Sequence, residues 1–281
     1  MVLHKNLRIF ASQNIRNMNQ QEEIIRDIDV QSVMTRSSLP VGGYSVNPYV
    51  GCPHACQYCY ASFMKRFTGH TEPWGSFLDV KHWKPVGNPH RFDGQRIVIG
   101  SVTDGYNPFE EQFQRTRHLL EELRGTTAEI MICTKSDLVL RDLDLLRTFP
   151  RVTVSWSVNT LDEAFRADMD RAVSIERRLE AMRQVYEAGI RTVCFVSPIF
   201  PGITDPKAII ERVREFADLV WLENLNLRGS FKATILAYIR EKHPSWCLCT
   251  RRSITAAGRT TGRRSNSRWP PMPLQTGCRI A

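Results

Sequence analysis

The sequence predicts an α/β protein: a parallel sheet with helical crossovers, arranged as an open, partial TIM-like barrel of six β/α units. Three observations predict it. Short apolar runs alternate with amphipathic segments from residue 96 to 242, the rhythm of strand–helix units. The chain has 281 residues, 42% of them hydrophobic, which suits one large domain or two small ones with a sizeable core. A cysteine-rich loop directly follows the first apolar run, at the edge where such sheets carry their functional loops.

The elements read in order. "GGYSVNPYV" (42–50) is the first strand. "RIVIGS" (96–101) is a buried strand, and "PFEEQFQRTRHLLEELR" (108–124) has helical period. "AEIMICT" (128–134) and "DLVLRDLDLLRTF" (137–149) form the next strand and helix, then "RVTVSWSVN" (151–159) and "SIERRLEAMRQVYEAG" (174–189), closed by Gly189. "IRTVCFVSPI" with "DPKAIIERVREFA", and "DLVWLENLNL" with "SFKATILAYIREKH", complete the series. Six units fit a partial barrel better than a closed eightfold one; a doubly wound sheet is the alternative. The expected organisation is an N-terminal extension (1–39), a core domain (40–243) and an irregular basic tail (244–281).

The formal net charge of +9 is unevenly spread. Residues 244–281 hold seven arginines and no acid, so residues 1–243 carry only +2, and the body's charge does not call for a polyanion partner. The tail shows no helical or strand period. It reads as a disordered basic arm, as a metal site at Cys247, Cys249 and Cys278, or as a non-native, frame-shifted end; the abrupt break after a well-formed helix favours the last. No stretch approaches the ~20 apolar residues that span a bilayer, and the first residues lack a signal-peptide core. The expectation is a soluble, cytoplasmic protein with no membrane partner. Eight cysteines in a reducing compartment point to metal or redox chemistry before disulfides.

Cys52, Cys56 and Cys59 fall within eight residues, in "CPHACQYC". A cubane of four irons and four sulfides takes one thiolate at each corner. Three thiols on one tight loop leave the fourth iron open, as a catalytic centre needs. The alternative is structural zinc on Cys52, His54, Cys56 and Cys59, or with a fourth ligand from elsewhere; it belongs to a non-enzymatic, nucleic-acid-binding reading of the chain. Cys133 and Cys194 lie on apolar strands and read as packing residues. Trp74, Trp83 and Trp156 read as core or pocket wall.

Cys52-x3-Cys56-x-Tyr58-Cys59, with an aromatic before the third cysteine and βα units after it, resembles the signature of the radical S-adenosylmethionine (radical SAM) superfamily. "NPYVGCPHACQYCYA", "SVTDGYNPFE", "TKSDLVLRDLDLL", "VSWSVNT" and "SPIFPGITD" together resemble its spore-photoproduct-lyase-like, DNA repair photolyase-like branch. The resemblance covers residues 40 to 243. It implies a radical SAM type of partial (β/α)6 barrel, and a 4Fe-4S cluster on Cys52, Cys56 and Cys59. It implies reductive cleavage of SAM to a 5′-deoxyadenosyl radical that abstracts hydrogen from a substrate, and an electron donor such as a flavodoxin or ferredoxin. It further implies cofactor contacts by Tyr58 (adenine segment), Thr103 and Asp104 (methionyl amine), Lys135 (methionyl carboxylate) and Ser157 (ribose or carboxylate). Read from the residues alone, Asp104 could be a turn residue, Lys135 a solvated lysine before a helix and Ser157 an ordinary strand serine. Where the lyases proper carry a hydrogen-donating cysteine, this chain has Ser101, whose stronger O–H bond makes a poor hydrogen-atom donor. The substrate class stays open between nucleic acid, peptide and protein.

Overall fold

The computed structural model describes residues 24–37, 42–243 and 277–279. The chain enters through β1 (Ile24–Val30), β2 (Met34–Arg36), β3 (Tyr44–Val46) and β4 (Tyr49–Val50). A 3-10 helix (Tyr60–Phe67) follows the cysteine loop, then β5 (Phe77–Trp83), β6 (Arg96–Ile99), α1 (Glu110–Phe113), α2 (Arg115–Glu122) and β7 (Glu129–Thr134). After a 3-10 turn (Leu138–Asp142) come α3 (Leu143–Leu146), β8 (Arg151–Ser157), α4 (Glu163–Met169) and α5 (Ile175–Glu187). The series ends with β9 (Arg191–Ile199), α6 (Pro206–Val213), β10 (Leu219–Asn224), α7 (Lys232–Lys242) and β11 (Gly277–Arg279).

The main sheet runs β2-β3-β6-β7-β8-β9-β10-β11. Its six central strands, β3 and β6 to β10, are all parallel. Antiparallel β2 and β11 flank them. Spatial order follows chain order without the reversal that defines a doubly wound sheet. The fold is the open, partial barrel.

Strand alternation divides the sheet into two faces. Ile97, Ile99, Ile130, Ile132, Val154, Trp156 and Val196 are buried against Leu119, Leu120, Leu179, Met182 and Ile209. On alternate positions Ser45, Cys133, Ser157 and Ser197 face the inner side and are half-buried. Trp156 and Trp83 are core residues, and Cys194 packs among them; Cys133 differs, half-buried on the inner face.

Several elements depart from the sequence reading. The run 42–50 is two strands, not one. Pro48 cannot donate to a ladder, and after it Tyr49 and Val50 leave the main sheet to pair with β5. β5 in turn pairs in parallel with β1 over seven residues, so β1 and β2, in the segment expected as an extension, are hydrogen-bonded to the body. α4 is also unanticipated; Asp162 caps it by accepting from Ala164 N and Phe165 N. The helix expected over 108–124 breaks at Gln114, whose φ is +50°. The break lets Glu110 reach the start of α2, where its carboxylate accepts from Thr116 N at 2.9 Å and Arg117 N at 3.1 Å. Tyr49 and Arg141 complete the set around this buried acid. In the tail, β11 pairs with β10; Cys278 lies in that strand, and Cys247 and Cys249 lie outside the described residues.

Gly100 ends β6 with φ +89°, and a Cβ there would stand 2.3 Å from the Cys133 carbonyl oxygen. Gly125 has a similar φ, +85°, with nothing within 4 Å. Gly125→Ala should therefore cost only the backbone strain, about 1 kcal/mol. Gly100→Ala should cost about 3 kcal/mol or more, because the rigid backbone opposite must also move. Urea denaturation followed by circular dichroism measures both; equal costs would contradict the close approach.

Candidate functional site

The candidate residues come together at the C-terminal edge of the parallel strands. The loop 51–59 follows β4, Thr103 and Asp104 follow β6, Lys135 follows β7, and Ser157 ends β8. Gly51 opens the loop at φ +85°, where a Cβ would meet the Phe77 carbonyl oxygen at 2.2 Å. Ala55 carries φ +46° without being glycine. Two backbone bonds from the end of α4 hold the loop: Arg171 N donates to His54 O at 2.7 Å, and Gln57 N to Met169 O at 2.8 Å.

Cys52 is buried; Cys56 and Cys59 are half-buried; all three are free thiols. Burial pushes the Cys52 thiol well up and Cys56 to about 12, with the neighbouring cysteines adding repulsion. Burial raises Cys59 too, against lowering by the backbone N–H groups of Ala61 and Ser62 and by Lys135. Trp74 Nε1 is buried beside Cys59 and favours its thiolate. Among the described residues no three His, Cys, Asp or Glu side chains converge as a single metal ion requires. His54, the fourth ligand of a zinc site on paper, instead places Nε2 3.0 Å from Asp104 Oδ2. The donor set fits a larger group that meets each thiol separately and brings its own positive charge.

Tyr58 is buried, with its hydroxyl donating to Asp170 at 3.2 Å and its ring edge-on to Phe200. Burial raises its pKa. Lys135 Nζ lies 5.7 Å from the Tyr58 ring centroid and has no ion-pair partner among the described residues, whereas its backbone N–H donates to Asp104 at 2.7 Å. Thr103 is 1% exposed, and its Oγ1 has no partner among the described residues. Ser157 is half-buried on the inner face; its carbonyl accepts from Arg178. Ser101 Oγ is engaged with Ser45 Oγ at 2.5 Å and Asn47 Nδ2 at 3.1 Å, and Tyr60 donates to its carbonyl.

Sequence reasoning missed Asp170, Arg178 and Asn159. Asp170 and Arg178 have fully buried side chains 2.6 Å apart, and Arg178 also donates to Val173 O and Ser157 O. Asn159, 1% exposed, has both amide atoms unpartnered among the described residues. With His54 Nδ1, Thr103 Oγ1 and Ser155 Oγ, it makes this part of the sheet rich in buried polar atoms that no described residue satisfies. A shallow groove of about 320 Å³ lined by Asp137, Leu140, Arg177 and Glu180 lies on the helical side; its Arg177–Asp137 pair is already formed, and none of the candidate residues lines it.

Burial alone would raise the Asp170 carboxyl, but Arg178 and then Lys135 hold it below the usual range. A carboxyl depressed in the fold contributes fully above its unfolded value, near pH 4, and loses that contribution as pH falls toward the folded one. Arg178→Met strands this charge and should cost roughly 3–5 kcal/mol at neutral pH. Adding Asp170→Asn should recover part of the loss and flatten the acid limb of a stability–pH profile, read by chemical denaturation from pH 3 to 7. A double variant no better than the single one would contradict the pairing.

No described helix is long and apolar enough to cross a membrane. Comparison with known proteins gives three kinds of relative. An uncharacterised protein of Methanocaldococcus jannaschii is 35% identical over 230 residues, 81% of this chain and 86% of its own length. An uncharacterised protein of Acidianus two-tailed virus is 32% identical over 200 residues, 64% of this chain and 62% of its own. A spore photoproduct lyase variant with bound AdoMet and dinucleoside spore photoproduct superposes with a TM-score of 0.52 at 18% identity, covering 68% of this chain. This chain spans 56% of that lyase, and the likeness is one of fold. The sequence model of the Radical SAM superfamily matches residues 46–217, from the end of β3 through the cysteine loop to the residues before β10. That match takes in more than half of the protein and every candidate residue of the site: the chain belongs to the radical SAM superfamily.

Proposed function

We infer that this chain is a radical SAM enzyme that holds a 4Fe-4S cluster on Cys52, Cys56 and Cys59 and binds SAM across the neighbouring strand ends. One observation carries the reading: three free thiols on one loop, their pKa values raised by burial, sit beside a lysine ammonium with no ion-pair partner among the described residues. When bound, the cluster and SAM supply reductive sulfonium cleavage and a 5′-deoxyadenosyl radical that takes hydrogen from the substrate. The electron comes from a small donor of the flavodoxin or ferredoxin class.

The chain's own residues bind, orient and exclude. Lys135 Nζ suits an anionic group such as the methionyl carboxylate, as a charge-assisted contact. Tyr58, fixed by Asp170 and Phe200, holds the backbone between Cys56 and Cys59 in place and walls the site. Thr103 Oγ1 and the Asn159 amide offer hydrogen bonds that no described residue takes, suited to polar groups of the cofactor. Ser157 stands at the same strand ends, facing the inner side. Burial at this edge keeps water from reactive species. Return of a hydrogen atom from position 101 is not part of the reading, because the Ser101 hydroxyl is tied to Ser45 and Asn47.

Anaerobic reconstitution tests this. The full chain should bind about four irons and, reduced with dithionite in the presence of SAM, form 5′-deoxyadenosine. Cys56→Ala should lose both. Lys135→Ala should keep the iron and weaken SAM binding about tenfold or more, measured by equilibrium binding to the reconstituted protein. A colourless chain with one zinc and intact SAM would overturn the reading.

A further inference from the structure

Asp104 is 9% exposed, and its carboxylate is saturated. Oδ1 accepts from Tyr106 N and from Thr134 Oγ1, both at 2.9 Å. Oδ2 accepts from Lys135 N at 2.7 Å and faces His54 Nε2 at 3.0 Å. A carboxylate offers about four acceptor positions, and here each has a protein partner. An ammonium group from a cofactor would have to displace one of them.

The same residue meets the middle of the cysteine loop: its carboxylate holds His54, between Cys52 and Cys56. His54 is 2% exposed, and its Nδ1 has no partner among the described residues. Next to it Ala55 sits at φ +46°, packed so tightly on Gly75 that a Cβ on the glycine would stand 2.7 Å from the Ala55 Cβ. A loop with a non-glycine residue in that region persists only when its surroundings hold it.

The geometry points to His54 and Asp104 as a positioning pair: together they set the conformation of the cysteine loop, and Asp104 acts on the cluster through that loop without touching SAM. The inference rests on the radical SAM reading and revises one residue's part in it. Partners behind metal ligands tune a centre through orientation and hydrogen bonding to its sulfurs. Thus the pair's effect is present before SAM arrives, whereas that of a direct SAM contact is not.

The test uses the reconstituted full-length chain without SAM, with Asp104→Asn, His54→Gln and the double variant. Electron paramagnetic resonance (EPR) of the reduced cluster and its midpoint potential are the readouts, with SAM affinity measured separately. The expected result is an altered EPR signal and a shifted potential in each single variant. The double variant should shift no further than the larger single one, with SAM affinity within about threefold of the wild type. Thermal melting of each apoprotein separates a misfolded variant from one that folds but loads less iron; reduced loading in a folded single variant also supports the pair. Asp104→Asn with an unchanged SAM-free spectrum and SAM affinity about tenfold weaker would overturn the inference and restore Asp104 as a direct contact. A wild-type chain that loads no cluster would instead sink the underlying reading.

Discussion

Buried carboxylates, each hydrogen-bonded both to its own neighbourhood and to segments distant in sequence, fix the edge of the sheet where the candidate site lies. An ionised acid cannot be taken from water without such partners, so each one dictates where several loops must go. Asp104 gathers the cysteine loop and the ends of β6 and β7. Asp170 joins Tyr58 of that loop to Arg178 of α5. Glu110 ties β4 through Tyr49 to the start of α2 and to Arg141. His70 does the reverse job just beyond the loop, its two ring nitrogens facing Glu72 at 3.0 Å and Asp79 at 2.8 Å while its ring stacks on Phe77.

The apolar layer needs no such devices, and that is why it was legible in the sequence. β6, β7, β8 and β9 are buried on the helical face by runs such as "RIVI" and "EIMI", whose period and turn boundaries are local properties. Their order in space then follows from chain order and the handedness of crossovers. β5 escaped because "FLDVKHW" interrupts its apolar residues with Asp79, Lys81 and His82; its burial depends on β1 and β4, both remote in sequence. The break at Gln114 escaped for a related reason: its cause is the fit of the Glu110 carboxylate to the first turn of α2, and no helical period reports that.

The site divides along the same line. Three cysteines on one loop are a local pattern, as are the residues directly after each strand. What surrounds them is not. Asp170 and Arg178 look like ordinary charged residues on either side of a helix start, and Asn159 like one more loop asparagine. Only the fold shows that the pair is fully buried and that both amide atoms of Asn159 lack partners among the described residues. His54 was visible, but as a candidate ligand; the contact with Asp104 gives it a different part.

Charge explains why the cysteine loop reads as unfinished. Deprotonating one buried and two half-buried thiols would place three negative charges within one loop, and burial already opposes even one. Against them the described residues offer the Lys135 ammonium, a few backbone N–H groups and the Trp74 indole N–H. Arg178 also favours the Cys56 thiolate, but it is paired with Asp170, whose negative charge works against it. The protein alone therefore disfavours three thiolates here. It can hold three thiols, or three thiolates bonded to a group that carries the missing positive charge on several metal atoms. A single ion is ill matched to side chains that do not converge on one point. The scarcity of cationic side chains around the loop, among the described residues, fits the proposed centre: thiols that depend on a positively charged group, beside a Lys135 ammonium with no ion-pair partner there.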